Sequence, residues 1–377
     1  MDRLAVYRRD LDGLARLSRR RVLSHRQGID FSSNDYIGLA QSPRLVAAAR
    51  RALDAGVPVG AAGSRLLRGQ TEAQARFEDV AARFFGAEAA LGFGGGYVAN
   101  FAVLTTLPQR GDLLLMDELS HASTHEGARA GRAQVATFRH GDVGHAADVI
   151  ADWRAQGNTG AVWIAVESLY SMDGDRAPLD ELMALADEHG FLMVDEAHAT
   201  GVFGPQGRGL AHHLEGRDNV VTLHTLGKAL GGSGALICAS RVLIDFLVNR
   251  CRPFIFATAP SPLMAEVGLE SLAILRDEPW RQAVLQGHID CFGAEIARRL
   301  PHLRVSGSQI VPLIVGQNAP TMELAAAVQS RGFDLRGIRP PTVPEGTSRL
   351  RLSLTLNASR AQVIRLAELL EELWPDS

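Results

Sequence analysis

Between residues 113 and 223, five short apolar runs alternate with helical stretches, and this alternation limits the fold more than any other feature. The runs are Leu113–Met116, Gln134–Phe138, Gly160–Val166, Phe191–Val194 and Asn219–Leu223, with a sixth, Ala89–Phe93, upstream. Runs this short and apolar are predicted strands. Strands joined through helices lie parallel, because the right-handed crossover passes over one face of the sheet. The expected class is α/β, with a mostly parallel sheet.

The flanks read differently. Residues 1 to about 27 form a predicted amphipathic helix (Leu4, Leu11, Leu14, Leu17) ending in Arg19, Arg20 and Arg21, either a solvated helix end or a contact for a phosphate-bearing or acidic substrate. Asp30–Gly38 is a polar, turn-rich link, and Pro43–Ala55 a helix opened by proline. Gly60–Gly69 is a glycine-punctuated loop, after which Thr71 caps a helix reaching Phe85. Beyond about residue 260 come a long helical region, strands at Gln309–Val315 and Ser348–Thr355, and a closing helix, Ala358–Trp374. The predicted division is an N-terminal arm and linker (1–40), a large α/β domain (41–260) and a small α+β domain (261–377).

A formal net charge of −3 argues against nucleic acid as the main partner. No apolar run approaches the roughly 18 residues that would span a bilayer, so no membrane partner is expected. Cys238, Cys251 and Cys291 lie far apart without a CxxC pair. They fit a reduced compartment and predict neither disulfides nor a metal site. No signal or transit peptide is evident at the N-terminus, and cytoplasmic residence is expected.

Lys228 is the sole lysine: the chain has 39 Lys and Arg together, and the other 38 are arginine. An ammonium can lose its proton and become a nucleophile, whereas a guanidinium stays charged. Lys228 follows an apolar run and precedes Gly231-Gly-Ser-Gly, so it is expected at a strand end, in a loop that can approach a ligand closely. A Schiff-base lysine is the first hypothesis.

Other polar residues also fall at strand ends, where ligands of open parallel sheets bind. Gly92-Phe-Gly-Gly-Gly-Tyr97 joins a strand to a helix whose N-terminus is a phosphate site. A dinucleotide fingerprint needs glycine where Tyr97 stands, which disfavours a nicotinamide-dependent dehydrogenase. Ser120-His121 follows another strand, placing an imidazole that could stack on a planar ring. Val194-Asp-Glu-Ala-His198 leaves a very apolar strand, and the buried Asp195 there calls for a cationic partner. Asp195 and His198 without a third ligand make no metal site, and Gly227-Lys228 is followed by Ala229, which excludes a Walker motif. A phosphate cradle, a carboxylate for a pyridinium, an imidazole over a ring and one Schiff-base lysine make a pyridoxal 5′-phosphate (PLP) site. At an effective dielectric of ~20 the carboxylate–pyridinium pair is worth roughly 4 kcal/mol.

From Phe31 to the C-terminus, the motif order resembles the α-oxoamine synthases, PLP-dependent enzymes of fold type I (aspartate-aminotransferase-like). The resemblance is carried by Asp30-Phe-Ser-Ser-Asn-Asp-Tyr-Ile-Gly-Leu, Leu119-Ser-His-Ala-Ser, Ser171-Met-Asp-Gly-Asp, Val194-Asp-Glu-Ala-His-Ala-Thr-Gly, Thr225-Leu-Gly-Lys and Ile338-Arg-Pro-Pro-Thr-Val-Pro. The last segment, with Arg349-Leu-Arg351, is most similar to the biotin-pathway branch, which condenses L-alanine with a pimeloyl thioester carried on coenzyme A or an acyl carrier protein. The resemblance implies that Lys228 bonds the cofactor, Asp195 pairs with its ring nitrogen, His198 bonds its phenolic oxygen, His121 stacks on it and Ser171 lies beside it. It implies a phosphate held by Gly96, Tyr97 and Thr225, with Thr258 supplied across a homodimer with shared active sites. Asn34 and Arg351 are implied near the substrate carboxylate, Thr342 in the substrate site, and one of Arg19, Arg20 and Arg21 as a substrate contact.

Overall fold

The computed structural model describes residues 2–23 and 25–374, which fall into two compact units. One contains the chain up to Tyr36, Met172–Asp175 and everything from Ala283 on; the other contains Ile37–Ser171 and Arg176–Gln282. In chain order the strands are β1 (Ile29–Asp30), β2 (Ala89–Phe93), β3 (Leu113–Asp117), β4 (Gln134–Phe138), β5 (Val162–Glu167), β6 (Gly190–Asp195), β7 (Val220–Thr225), β8 (Ala235–Ala239), β9 (Ile310–Gly316), β10 (Phe333–Asp334), β11 (Arg336–Ile338) and β12 (Ser348–Ser353).

The larger unit is organised on a seven-stranded sheet of order β2-β8-β7-β6-β5-β3-β4. From β4 to β7 all pairings are parallel, as the alternation predicts. β3, β5 and β7 are buried along their whole length, so apolar side chains fill both faces. Leu114, Met116, Trp163, Val221 and Leu223 pack into one core layer, while Leu113, Leu115, Ile164, Leu192 and Val220 pack into another on the opposite face. One strand departs from the expected pattern: β8 runs antiparallel between β7 and β2. Its sequence, Ala-Leu-Ile-Cys-Ala, follows β7 after only a glycine-rich turn, too short for a crossover helix, so the chain reverses.

In the smaller unit, β9, β11 and β12 form an antiparallel sheet of order β11-β12-β9. The link after Gly28 contributes a short parallel pair, β1 with β10, which its polar sequence did not announce. The N-terminal helix is shorter than expected: it spans Ala5–Arg16 and ends before Ser18, whose φ is 54°. Arg19, Arg20 and Arg21 therefore lie beyond the helix.

Candidate active site

In the larger unit the strand ends converge on one cluster. β2 passes through Gly94 and Gly95 into the helix Gly96–Thr106. A Cβ at Gly94 or Gly95 would meet nothing within 4 Å, and one on Gly96 would sit 3.7 Å from Thr225 Oγ1 at the end of β7. The free N–H groups of this helix start, open space before it and a hydroxyl beside it suit an anionic group. Tyr97 stands at the same helix start, edge-on to His121 with ring centroids 6.3 Å apart.

His121 caps the helix Ala122–Ala130. Its Nδ1 accepts from the Ser123 backbone N–H at 3.2 Å, which assigns the ring proton of the neutral imidazole to Nε2. Desolvation lowers its pKa although the residue keeps an exposed edge; Asp195 opposes this shift, and Lys228 and His125 add to it. A hydrogen-bonded chain links this ring to the buried carboxylate. Asn100 Nδ2 donates to Ser123 Oγ at 3.0 Å and to Asp195 Oδ2 at 2.6 Å, and Ser123 Oγ lies 2.8 Å from His121 Nδ1. Asp195 Oδ1 accepts from the Ala197 N–H at 2.9 Å.

Asp195 closes β6 beside Glu167, its register partner on β5. Burial, then the Asp195 charge, pushes the Glu167 carboxyl up to about 8, so this neighbour is held as a neutral acid near pH 7. Glu167 Oε2 accepts from the Ser171 N–H at 3.1 Å, which fixes Ser171 next to the pair.

Lys228 sits in the turn between β7 and β8. The turn is closed by the Leu226 N–H to Gly234 O (2.9 Å), Gly231 N–H to Lys228 O (2.9 Å) and Gly232 N–H to Leu226 O (2.8 Å). Gly231 is required: its φ is +66°, and a Cβ there would fall 2.5 Å from the Leu39 carbonyl carbon. The turn presents Lys228 Nζ 2.6 Å from Nε2 of the buried His198. Thr258 lies elsewhere on this unit, exposed and bridged to Ser64.

The smaller unit gathers the remaining candidates. Arg351, on β12, is buried and donates to Asn34 Oδ1 at 3.0 Å. Arg21 donates to Thr342 Oγ1 at 3.1 Å, Arg19 pairs with Glu345, and Arg20 is exposed.

Two residues of the cluster escape a reading of the sequence. Asn100 is legible as a lone amide among apolar neighbours, one turn after Gly96, in a helix whose other polar residues, Thr105 and Thr106, fall at its end. Glu167 carries the same signal as Asp195, a carboxylate closing an apolar strand. Asn100 Oδ1 and Glu167 Oε1 are buried and meet no hydrogen-bond partner among the described residues. Such orphans mark a place for a further polar group. A buried carboxylate, a primary amine beside an imidazole and a helix-start cradle together fit PLP.

The chain matches the model of aminotransferase class I and II over residues 26–370. It is 42% identical over 341 residues to an 8-amino-7-oxononanoate synthase of Methylobacterium radiotolerans, an alignment covering 90% of this chain and 86% of that protein. A structure of serine palmitoyltransferase with a PLP internal aldimine superposes at TM-score 0.88 with 25% identity, covering 99% of this chain and 98% of the other. The 8-amino-7-oxononanoate synthase of Francisella tularensis superposes at TM-score 0.76 with 26% identity, covering 92% of this chain and 97% of the other.

Proposed function

The chain belongs to the class I and II aminotransferase family and, within it, to the α-oxoamine synthases, and from that premise we propose that it is a PLP-dependent acyltransferase of biotin biosynthesis. It joins L-alanine to a pimeloyl thioester and releases 8-amino-7-oxononanoate, CO2 and the free thiol. The observation that carries this reading is the placement of the sole lysine against His198, in the same cluster as the buried Asp195–Asn100 pair, in a chain 42% identical to a synthase of that name.

When bound, PLP supplies an aldehyde for amine condensation and a protonated ring that accepts electron density from the substrate Cα. The chain's residues provide the rest. Asp195 holds a proton on the ring nitrogen, and Asn100, spending both N–H bonds on Asp195 and Ser123, fixes the carboxylate and His121 in one orientation. His121, Ser171 and His198 would hold the ring, His121 against its face, Ser171 beside it and His198 at the phenolic oxygen. Gly96, Tyr97 and Thr225 hold the phosphate, joined by Thr258 across a homodimer interface. Lys228, its Nζ 2.6 Å from His198 Nε2, would hold the cofactor and, as a neutral amine, would take the proton from the substrate Cα. Arg351, steadied by Asn34, takes the amino-acid carboxylate as a charge-assisted pair. Thr342 and the Arg19–Arg21 segment contact the acyl substrate, carried on coenzyme A or an acyl carrier protein.

Thiol release by the purified protein, measured for pimeloyl, acetyl, succinyl and palmitoyl thioesters crossed with alanine, glycine and serine, tests the assignment. Release confined to pimeloyl plus alanine is expected. Release with another pair moves the chain to a sibling: glycine C-acetyltransferase, 5-aminolevulinate synthase or serine palmitoyltransferase.

A further inference from the structure

On the β7–β8 hairpin, one residue before Thr225 of the proposed cofactor site, lies a second cluster of ionisable groups that the reaction does not use. Thr222 of β7 and Cys238 of β8 are register partners, and His224 lies two residues along β7, so strand alternation puts all three side chains on one face. Glu215, from the turn region before β7, reaches the same point. The donor atoms of Glu215, His224 and Cys238 all lie within 4.8 Å of one another. Their burial is nearly complete: the side chains of Glu215 and His224 are 1% and 0% exposed, and Cys238 is 1% exposed.

Neither carboxylate oxygen of Glu215 meets a hydrogen-bond partner among the described residues; His224 Nε2 is 3.2 Å from Oε1 but outside hydrogen-bonding geometry. Burial pushes the Glu215 carboxyl well above the usual carboxylate range, with the Arg208 guanidinium opposing the shift, and a metal cation bound directly to its oxygens would hold it ionised. The imidazole is held from two sides. Phe85 stacks on it with centroids 3.6 Å apart, and Thr200 Oγ1 lies 2.8 Å from Nδ1. Thr200 donates its own hydroxyl proton to Glu196 O at 2.8 Å, so it can accept from Nδ1–H and leave Nε2 as the acceptor nitrogen, 3.1 Å from Thr222 Oγ1 and 3.2 Å from Glu215 Oε1. This is the outer support that metal-ligating histidines have. In a tetrahedral zinc site, bond lengths of about 2.0–2.3 Å put neighbouring donors roughly 3.3–3.7 Å apart. The imidazole–carboxylate separation of 3.2 Å already comes close to this.

We propose that Glu215, His224 and Cys238 bind a divalent transition-metal ion, of which zinc suits the sulfur–nitrogen–oxygen donor set best. Thr222 Oγ1, 3.1 Å from His224 Nε2, or a water takes the fourth position. Binding deprotonates the Cys238 thiol and releases its proton, with no change of oxidation state. The ion ties the strand that ends three residues before Lys228 to its antiparallel neighbour, so its role is structural. Sequence spacing gives no sign of it, because the three ligands do not form a short-spaced motif.

The test is the metal content of tag-free holoenzyme from cells grown in zinc, with a parallel preparation grown in cobalt. The proposal expects about one ion per chain in the wild type, and less than about a tenth of that in Glu215→Gln and Cys238→Ala. It also expects thiolate-to-cobalt bands, absent from Cys238→Ala, together with visible d–d bands beyond the cofactor absorption. The cofactor spectrum should survive in the variants, showing that the fold is retained. Wild-type holoenzyme with no stoichiometric metal from either medium would overturn the proposal without reference to any variant. Equal metal in wild type and both variants would also overturn it, by placing the ion elsewhere. A normal PLP spectrum with no metal would sink the metal site alone, whereas metal without PLP-dependent thiol release would leave the site standing and remove the proposed activity.

Discussion

Glu167 and Asp195 end adjacent parallel strands as register partners, two buried carboxyl groups side by side, and the first of them is driven toward its neutral form. Its folded pKa, about 8, lies above the ordinary value of 4.5. The native state therefore keeps a proton that the unfolded state has lost across that interval, and stability falls as pH rises from about 4.5 to about 8. Replacing the acid by its neutral isostere removes this slope. The Tm of cofactor-free wild type should decline relative to Glu167→Gln over that window, and a constant offset between the two would show that Glu167 titrates as an ordinary carboxyl.

Lys228→Arg keeps the charge and loses the removable proton. Thiol release should drop to the background of the cofactor-free protein, and borohydride should no longer trap the cofactor on the chain. Near-normal turnover in this variant would refute the assignment of Lys228.

Asp195→Asn leaves a similar shape and removes the charge that keeps the ring nitrogen protonated. Turnover should fall roughly a thousandfold or more, as when a preorganised charge is lost from a transition state. A loss under tenfold would show that Asp195 does not contact the ring nitrogen.

The buried Arg65 and the partly buried Glu78 make a bidentate pair, with both N–O distances at 2.8 Å, and Glu78 Oε1 also accepts from the Gly92 N–H at 2.7 Å. Arg65→Met strands the Glu78 carboxylate and should destabilise the chain by about 3–5 kcal/mol. The double variant Arg65→Met/Glu78→Leu should recover much of that loss in denaturant unfolding. A double variant no more stable than the single one would contradict the stranded-charge account.

Arg351→Lys exchanges a planar fork for a point charge and loses the geometry that Asn34 supports. With a charge-assisted hydrogen bond worth about 1.5–3 kcal/mol, the KM for alanine should rise about ten- to a hundredfold while the KM for the thioester stays within about twofold. Equal rises in both would place Arg351 outside the amino-acid site.

Much of this was legible in the amino-acid order, because short-range physics writes it there. Apolar runs alternating with helices require parallel strands, and β3 to β7 appear where those runs lie. A carboxylate at the end of such a run stands out, as at Asp195, and Glu167 carries the same mark one strand away. The direction of β8 is carried by the length of its connection to β7, too short for a crossover helix, and not by the apolar run itself. The β1–β10 pair depends on a partner far along the chain, whereas the N-terminal helix ends locally, where Ser18 turns to positive φ and the Arg19 N–H bonds back to Leu14 O. By itself, then, the sequence determined the parallel part of the sheet, the sole lysine and which polar residues close its strands, since each follows from the residue type and its immediate neighbours. Only the tertiary structure decided what depends on distance: Asn100 joining Asp195 to Ser123, burial and then Asp195 raising the pKa of Glu167, and Glu215 meeting His224 and Cys238, because desolvation, hydrogen bonds, Coulomb forces and ligand geometry act over a few ångströms of space whatever the separation along the chain.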